Sequence, residues 1–460
     1  MNGGPGRSGS GLRDECDDER GGTGDGGGRG GYTEAARDVM SSRVSAAVLT
    51  DRFREAFHAM PAYVSRAPGR VNLIGEHTDY NDLPVLPMAL HKEVFLALRP
   101  RDDASVRIAN VDPAFEPVSF GLGPDIPPGP RGHWGNYVKA PAQEMARTFG
   151  AARGFDGVVG STVPVASGLS SSSALVNAVG LALARLNGVE IEPLDLADRM
   201  ARAERYTGTQ GGGMDQAISL AARAGYAARI DFAPLRMRYV PVPAAWRFVV
   251  ADTGVQARKS GLAQEAYNLR TRECGAALAR VGAHAVASGL TSHPPEGYPA
   301  LMRAYGGVAG ALEVGVALLP SPLRERYRHV LSEATRVDEA EAALREDDPA
   351  AFGALMDASH ESLRVDYEVS GPELDELVEL AREAGAAGAR LTGAGFGGCI
   401  VALADAAGAD AILDALSGRY YRPRGIDGPL ADRAFVATPG PGASFVKLRT
   451  GRRLPNPPLP

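Results

Sequence analysis

Three short runs in the 460-residue chain combine charges, hydroxyls and glycines in patterns suited to chemistry on a small polar molecule. In the run Arg66-Ala67-Pro68-Gly69-Arg70-Val71-Asn72-Leu73-Ile74-Gly75-Glu76-His77-Thr78-Asp79-Tyr80-Asn81, apolar alternation carries a strand to Ile74, and Gly75 then releases Glu76, His77 and Asp79 together. Such a cluster of acceptors and donors suits a polyol or sugar, whose hydroxyls each need a placed partner; the alternative is a hydrophilic turn. A metal site at His77 and Asp79 is the weaker reading, since a third ligand at matching spacing is missing. In the second run, Gly168, Leu169, Ser170, Ser171, Ser172 and Ser173 stand directly before an apolar helical stretch. Orphan N–H groups at the positive end of that helix would suit a phosphate, although a linker or an ordinary N-cap is the other possibility. In the third, Asp215 follows Gly211-Gly212-Gly213-Met214, where backbone and ligand can come close. An Asp there suits a general base for a hydroxyl, or else caps the next helix. Glu204 lies eleven positions earlier in a helix rich in small residues.

A fourth run, Gly393-Ala394-Gly395-Phe396-Gly397-Gly398, fits the GxGxxG spacing, but the apolar residues after it, Cys399 to Leu403, read as a strand rather than the helix a dinucleotide site requires. These glycines instead allow backbone to approach the active site closely. No Gly-Lys pair occurs, so there is no Walker A loop, and the His-Arg-Asp and Asp-Phe-Gly signatures of protein kinases are missing.

Composition bounds the partners. With 49 Lys+Arg against 55 Asp+Glu the net charge is −6, which argues against a nucleic-acid partner. Only four of the basic residues are Lys, so the abundance of Arg carries no functional weight alone. Cys16, Cys274 and Cys399 lie far apart with no CxxC spacing, which excludes a disulfide scaffold or Cys-rich zinc site and points to a reducing cytoplasm. No apolar run approaches the ~18 residues needed to span a bilayer, and the N-terminus lacks the apolar core of a signal peptide. The chain is expected to be cytoplasmic, without a membrane partner.

The elements that must position these runs can be read coarsely. Residues 1–31, with 13 Gly, read as a disordered tail, and 451–460 as a short Pro-rich tail. Helices are expected at 41–60, 134–148, 171–186, 193–206 and 407–417, with further helices through 259–384. Strands are expected at 62–67, 71–75, 93–99, 157–163, 226–232, 236–242, 246–252, 399–403 and 444–448, the three between 226 and 252 forming one antiparallel stretch. Strands and helices mix without strict alternation, which favours α+β over a doubly wound sheet. The division falls near 245, giving a strand-rich 32–245 and a helix-rich 246–450.

Taken together, the GRVNLIGEHTDYN run at 69–81, GLSSSSAL at 168–175, GGGMDQ at 211–216 and LTGAGFGGC at 391–399 resemble the motifs of galactokinases in the GHMP small-molecule kinase superfamily, in order and approximate spacing. HWGNYVKA at 133–140, the stretch around Tyr267 and Cys274, and LRVDYEVSGPELDEL at 363–377 extend the resemblance over about 45–450. The resemblance implies two lobes: an N-terminal α+β lobe with a left-handed βαβ crossover, and a ferredoxin-like C-terminal lobe. It also implies transfer of the ATP γ-phosphoryl group to the anomeric hydroxyl of galactose. By carry-over Asp215 is the acid-base residue and Arg70 its partner. Glu76, His77, Asp79, Gly212 and Tyr267 hold the sugar, and Gly168, Leu169, Ser170, Ser171 and Ser172 hold ATP. Ser172 and Glu204 fall on the Mg²⁺ positions. The partners implied are a sugar and ATP, with a monomer favoured. GGGMDQ and SSSSALV look more like N-acetylgalactosamine kinase, and the three glycines are expected to widen the pocket at C2. N-acetylgalactosamine is therefore the alternative substrate, and a non-catalytic sugar sensor is the alternative of a different class.

Overall fold

The first helix among the described residues, α1 (Ala46–Phe57), begins where the Ser45 hydroxyl accepts a hydrogen bond from Val48 N and ends where His58 turns left-handed at φ 52°. It is shorter than the expected 41–60 because Ser45 provides the cap and His58 leaves the helical region before Pro61 is reached. The computed structural model describes Met1 and residues 44–255, 262–426 and 428–448. Apart from Met1, both expected tails lie outside the described residues.

A six-stranded sheet follows, in the order β12-β1-β2-β5-β3-β4. Its strands are β1 (Tyr63–Asn72), β2 (Pro87–Pro100), β3 (Ser105–Asn110), β4 (Val118–Gly121), β5 (Phe155–Ser161) and β12 (Ser444–Lys447). The pieces expected at 62–67 and 71–75 are one strand, interrupted by a register shift between Pro68 and Arg70. Helix α2 (Asn136–Phe149) lies between β4 and β5, and β3 pairs with β5 in parallel. Strand β2 is apolar on both faces because each face has its own cover. Val94, Leu96 and Leu98 join the main core, while Ala97 packs with Leu49 and Phe53 of α1.

Helices α3 (Ser171–Leu186) and α5 (Met214–Ala221) pack on this sheet, and α4 (Pro193–Glu204) packs on both of them. The hairpin β6 (Tyr226–Asp231) and β7 (Arg236–Pro241) forms a separate two-stranded sheet. Strand β8 (Arg247–Asp252), expected as its third member, belongs to a second sheet instead. The physical reason is its pattern: Phe248 and Val250 point into the main core and Val249 and Ala251 into a second one. A strand apolar on both faces needs two covers, whereas β7 leaves one face largely to solvent.

After β8 come α6 (Leu262–Ala287), α7 (Tyr298–Ala304), α8 (Val308–Leu318), α9 (Leu323–Arg345), α10 (Pro349–Val365) and α11 (Pro372–Glu383), then β9 (Gly388–Thr392), β10 (Cys399–Ala404), α12 (Ala406–Leu416) and β11 (Ala434–Ala437). The antiparallel second sheet has the order β11-β8-β10-β9, so in chain order its strands run 4-1-3-2 with βαββαβ connections, the ferredoxin-like arrangement. The sheet is a wall between two cores: Val401 and Leu403 of β10 face the first, Ile400 and Ala402 the second. Strand β12 then returns to the first sheet and pairs with β1 from Tyr63↔Lys447 to Arg66↔Ser444. The segment after 246 thus supplies a strand to the N-terminal sheet. Among the described residues no single helix is long and apolar enough to cross a membrane.

Candidate active site

The end of β1, the start of α3, the start of α5 and the glycine loop between β9 and β10 meet around a cleft of about 910 Å³, counting its open mouth. At one end stands Asp215, in the first turn of α5. Arg70 Nε donates to its Oδ1 at 2.7 Å, and the Ser170 hydroxyl donates to Oδ2 at 2.5 Å. Ser173 Oγ lies 3.3 Å from the same Oδ2 and donates to Glu204 Oε2 at 2.8 Å, where Gln216 Nε2 also donates. The register shift in β1 brings Arg70 here, and its N–H bonds Leu169 O at 3.1 Å, which ties the strand to the serine loop. Burial works against the Arg70 charge, but Asp215, Glu76 and Asp79 outweigh it and hold the guanidinium pKa above its ordinary value.

Ser170 occupies the left-handed region at φ 62° and α3 has no side-chain cap. The N–H groups of its first turn are therefore left for a ligand at the positive end of the helix. Ser171 and Ser172 are partly exposed on that turn, whereas Ser170 is buried with its hydroxyl on Asp215. Leu169 packs its side chain into the core and contributes only backbone to the loop.

At the other end are Glu76, His77, Asp79 and Tyr267. Glu76 Oε1 accepts from Gly393 N at 2.7 Å and lies 3.6 Å from Arg390 Nη1. Arg390 and Glu333 are fully buried, and Glu333 Oε1 accepts from Gly75 N (2.9 Å), Glu76 N (3.3 Å) and Ser359 Oγ (2.6 Å). Burial raises the Glu76 pKa despite the opposing pull of Arg390 and Arg70. Asp79 accepts from Tyr80 N at 3.0 Å and Met214 N at 3.4 Å; burial and the nearby Asp215 charge push it up to about 6. His77, itself at φ 63°, is driven down to about 3 by burial, with His329 and two arginines adding to the effect, so the ring is neutral. Tyr267 projects from α6 with its ring 5.6 Å from those of His77 and Tyr80.

The structure therefore gathers Arg70, Glu76, His77, Asp79, Gly168, Glu204, Gly212, Asp215 and Tyr267 around one cleft. It also assigns the glycines differently from the expected widening of a pocket. A Cβ on Gly212 would stand 2.3 Å from the Asp79 carbonyl carbon, and Gly213 has φ +111° at the start of α5. Those two glycines are required by backbone packing and backbone conformation, and only Gly211 faces open space. A Cβ on Gly393 would come 2.6 Å from Gly168 O, which accounts for close apposition of the glycine and serine loops. Sequence reasoning gave no role to Ser173, Gln216, Glu333, Arg390 or Tyr367. Ser173 and Gln216 adjoin residues already singled out, and Arg390 sits just before the glycine loop. Glu333 gave no signal, being one acid among many in α9.

Comparisons with known proteins identify the family. The galactokinase galactose-binding signature matches residues 51–100, the GHMP kinase N-terminal domain 136–223 and the GHMP kinase C-terminal domain 340–422. A galactokinase of Chloroflexus aurantiacus is 40% identical over 406 residues, covering 86% of this chain and 96% of that protein. One from Roseiflexus sp. is 39% identical over 379 residues, covering 82% and 92%. The crystal structure of Lactococcus lactis galactokinase complexed with galactose superposes with a TM-score of 0.77 at 30% identity, over 88% of this chain and 100% of that one. Methanococcus jannaschii mevalonate kinase, at 17% identity and a TM-score of 0.56, shares the fold. With the two-lobed α+β architecture and the assembled cleft, these similarities establish that the chain belongs to the galactokinase family of GHMP kinases.

Proposed function

We propose that this protein transfers the γ-phosphoryl group of ATP to the anomeric hydroxyl of galactose, giving galactose 1-phosphate and ADP. The observation that carries the reading is the Asp215 carboxylate held by Arg70 at one end of a cleft whose other end is built from buried sugar-type partners, Glu76, His77 and Asp79. Asp215 accepts the proton as the anomeric oxygen bonds to the γ-phosphorus and the bond to the β–γ bridging oxygen breaks. Phosphoryl transfer passes through a loose transition state, so the chain's work is positioning and charge neutralisation. Arg70 holds the base and counters charge on the transferring group. The uncapped first turn of α3, with Ser171 and Ser172, cradles the nucleotide's phosphates.

Mg²⁺ fits the same end. Among the described residues no cluster of three or more His, Cys, Asp or Glu could hold a metal alone. Glu204 and the hydroxyl of Ser172 or Ser173 are the hard oxygen donors that Mg²⁺ takes alongside phosphate oxygens. When bound, the ion neutralises charge on the phosphates. The reading assigns a monomer in the cytoplasm, in keeping with the buried free thiols of Cys274 and Cys399.

Steady-state kinetics with galactose, N-acetylgalactosamine and glucose test the proposal. Galactose is expected to have the highest kcat/KM, followed by N-acetylgalactosamine, with glucose rejected because its inverted C4 hydroxyl leaves a buried partner unsatisfied. A tenfold advantage for N-acetylgalactosamine would reverse the substrate assignment. Sugar binding without sugar-dependent ADP release would make the protein a sensor.

A further inference from the structure

Helix α9 meets the turn that carries Glu76 and His77 with three residues spaced four apart, His329, Glu333 and Val337, which therefore share one face. His329 Nε2 lies 3.1 Å from Glu76 O, and Glu333 Oε1 accepts from Gly75 N at 2.9 Å and from Glu76 N at 3.3 Å. Val337 closes the gap beside them: a Cβ on Gly75 would stand 2.8 Å from its Cγ2. Of the four backbone polar groups from Gly75 N to Glu76 O, this face of α9 takes three. All three side chains are fully buried, and none of them lines the cleft.

A carbonyl oxygen can only accept, so His329 Nε2 donates to Glu76 O, while the ring's other nitrogen lies 2.9 Å from Ser362 Oγ. Glu333 is held from behind by Arg336 Nε on Oε2 and Ser359 Oγ on Oε1, each at 2.6 Å. Its burial favours the neutral acid, but Arg336 and Arg390 outweigh burial and keep the carboxylate ionised, so both oxygens accept. The turn needs such a hold. Gly75 at φ 96° and His77 at φ 63° flank Glu76, and a left-handed conformation in a residue other than glycine persists only where its surroundings fix it. An ordinary turn after a strand needs no buried charge behind it, whereas side chains that meet sugar hydroxyls must be placed to within about 0.5 Å. We propose that His329 and Glu333 are positioning residues for sugar recognition, clamping the Gly75-Glu76 backbone so that Glu76 and His77 enter the cleft already aimed at the substrate hydroxyls. The inference rests on the sugar-kinase reading of that cleft. Sugar affinity is thereby set in part by two side chains outside it.

Substitutions at His329 separate a clamp from a merely structural contact, because a Gln amide nitrogen reaches as far as His Nε2 and an Asn amide nitrogen only as far as Nδ1. His329→Asn and His329→Phe, which lose the bond to Glu76 O, should raise KM for galactose about tenfold, with KM for ATP and kcat changed by no more than about twofold. His329→Gln should stay within about twofold of the wild type throughout. Hydrogen–deuterium exchange of the sugar-free full chain reads the clamp itself: the amides of residues 75–77 should exchange about tenfold faster in His329→Asn and His329→Phe than in the wild type or His329→Gln. An unchanged galactose KM or unchanged exchange in His329→Asn, equal losses for galactose and ATP, or a His329→Gln protein as impaired as His329→Asn would overturn the proposal. Loss of folding in both His329→Asn and His329→Phe would make the contact structural and overturn it as well. Faster exchange in His329→Asn together with no galactose turnover by the wild type would uphold the clamp and overturn the functional reading instead.

Discussion

The two ends of the cleft are built on different plans. At the reaction end, Arg70, Ser170, Ser173, Glu204, Asp215 and Gln216 all come from the first half of the chain and bond to one another directly. At the recognition end, Glu76 and His77 are held by Glu333, Tyr367, Arg390 and Gly393, which lie more than 250 positions further on. The reaction end is an assembly of contacts made within one lobe. The recognition end is completed only when both lobes are docked, so its contacts are coupled to their packing, and the Asp215–Glu204 cluster is not.

Substitutions that separate the two plans test this contrast. The largest effect is expected from Asp215→Ala, which should lower kcat by about 10²–10⁴ while galactose affinity, measured calorimetrically, changes far less. A parallel loss of affinity would mean that the ends are not separate. Arg390→Met removes the counter-charge that Glu76 and Glu333 share, leaving Glu333 with Arg336, and removing one partner from such a buried ion cluster costs about 3–5 kcal/mol in denaturant unfolding. Ser173→Ala, at the reaction end, should cost about 1 kcal/mol by the same measurement, and equal losses for the two would contradict the contrast.

A smaller effect has a pH signature. Asp79 has its folded pKa raised above the unfolded value, so its own contribution to stability decreases as pH rises from about 4 to about 6. Asp79→Asn should therefore raise Tm at pH 7 by a few degrees, with the advantage fading as pH falls from about 6 to about 4, while kcat/KM for galactose drops at least about tenfold. A destabilised Asp79→Asn protein at pH 7 would show that its backbone hydrogen bonds outweigh its buried charge. The smallest effect is expected from Glu204→Gln, which should raise the Mg²⁺ concentration for half-maximal rate severalfold with little change in galactose KM. An unchanged Mg²⁺ titration would make Glu204 a purely structural partner of Ser173 and Gln216.

The same contrast governs what was legible beforehand. Glycine, serine and acid runs announced the reaction end because its geometry is local: Gly168 to Ser173 lead straight into α3, whose expected bounds of 171–186 match Ser171–Leu186. The long apolar strands were legible too, since period and length suffice for them. The four-residue strands β4 and β11 were not, being too short to establish a period, and polar Ser105, Arg107 and Asn110 concealed β3. The support of the recognition end was hidden for another reason. Glu333 and Arg390 meet Glu76 only through the tertiary fold, and a single acid in a helix as charged as α9 has nothing local to mark it.

The return of β12 to the first sheet has a consequence for biogenesis. Until β12 emerges from the ribosome, the β1 edge lacks its outer partner, Arg66 Nε lacks the Ser444 hydroxyl that it reaches at 2.7 Å, and Tyr63 lacks the Phe445 ring stacked 5.0 Å away. An unpaired strand edge waiting through the synthesis of more than 350 residues is a template for pairing with another nascent chain. Among the described residues, the strand synthesised last closes the edge of the strand synthesised first, so ribosome stalling or premature termination before residue 444 should yield aggregation rather than a folded N-terminal lobe.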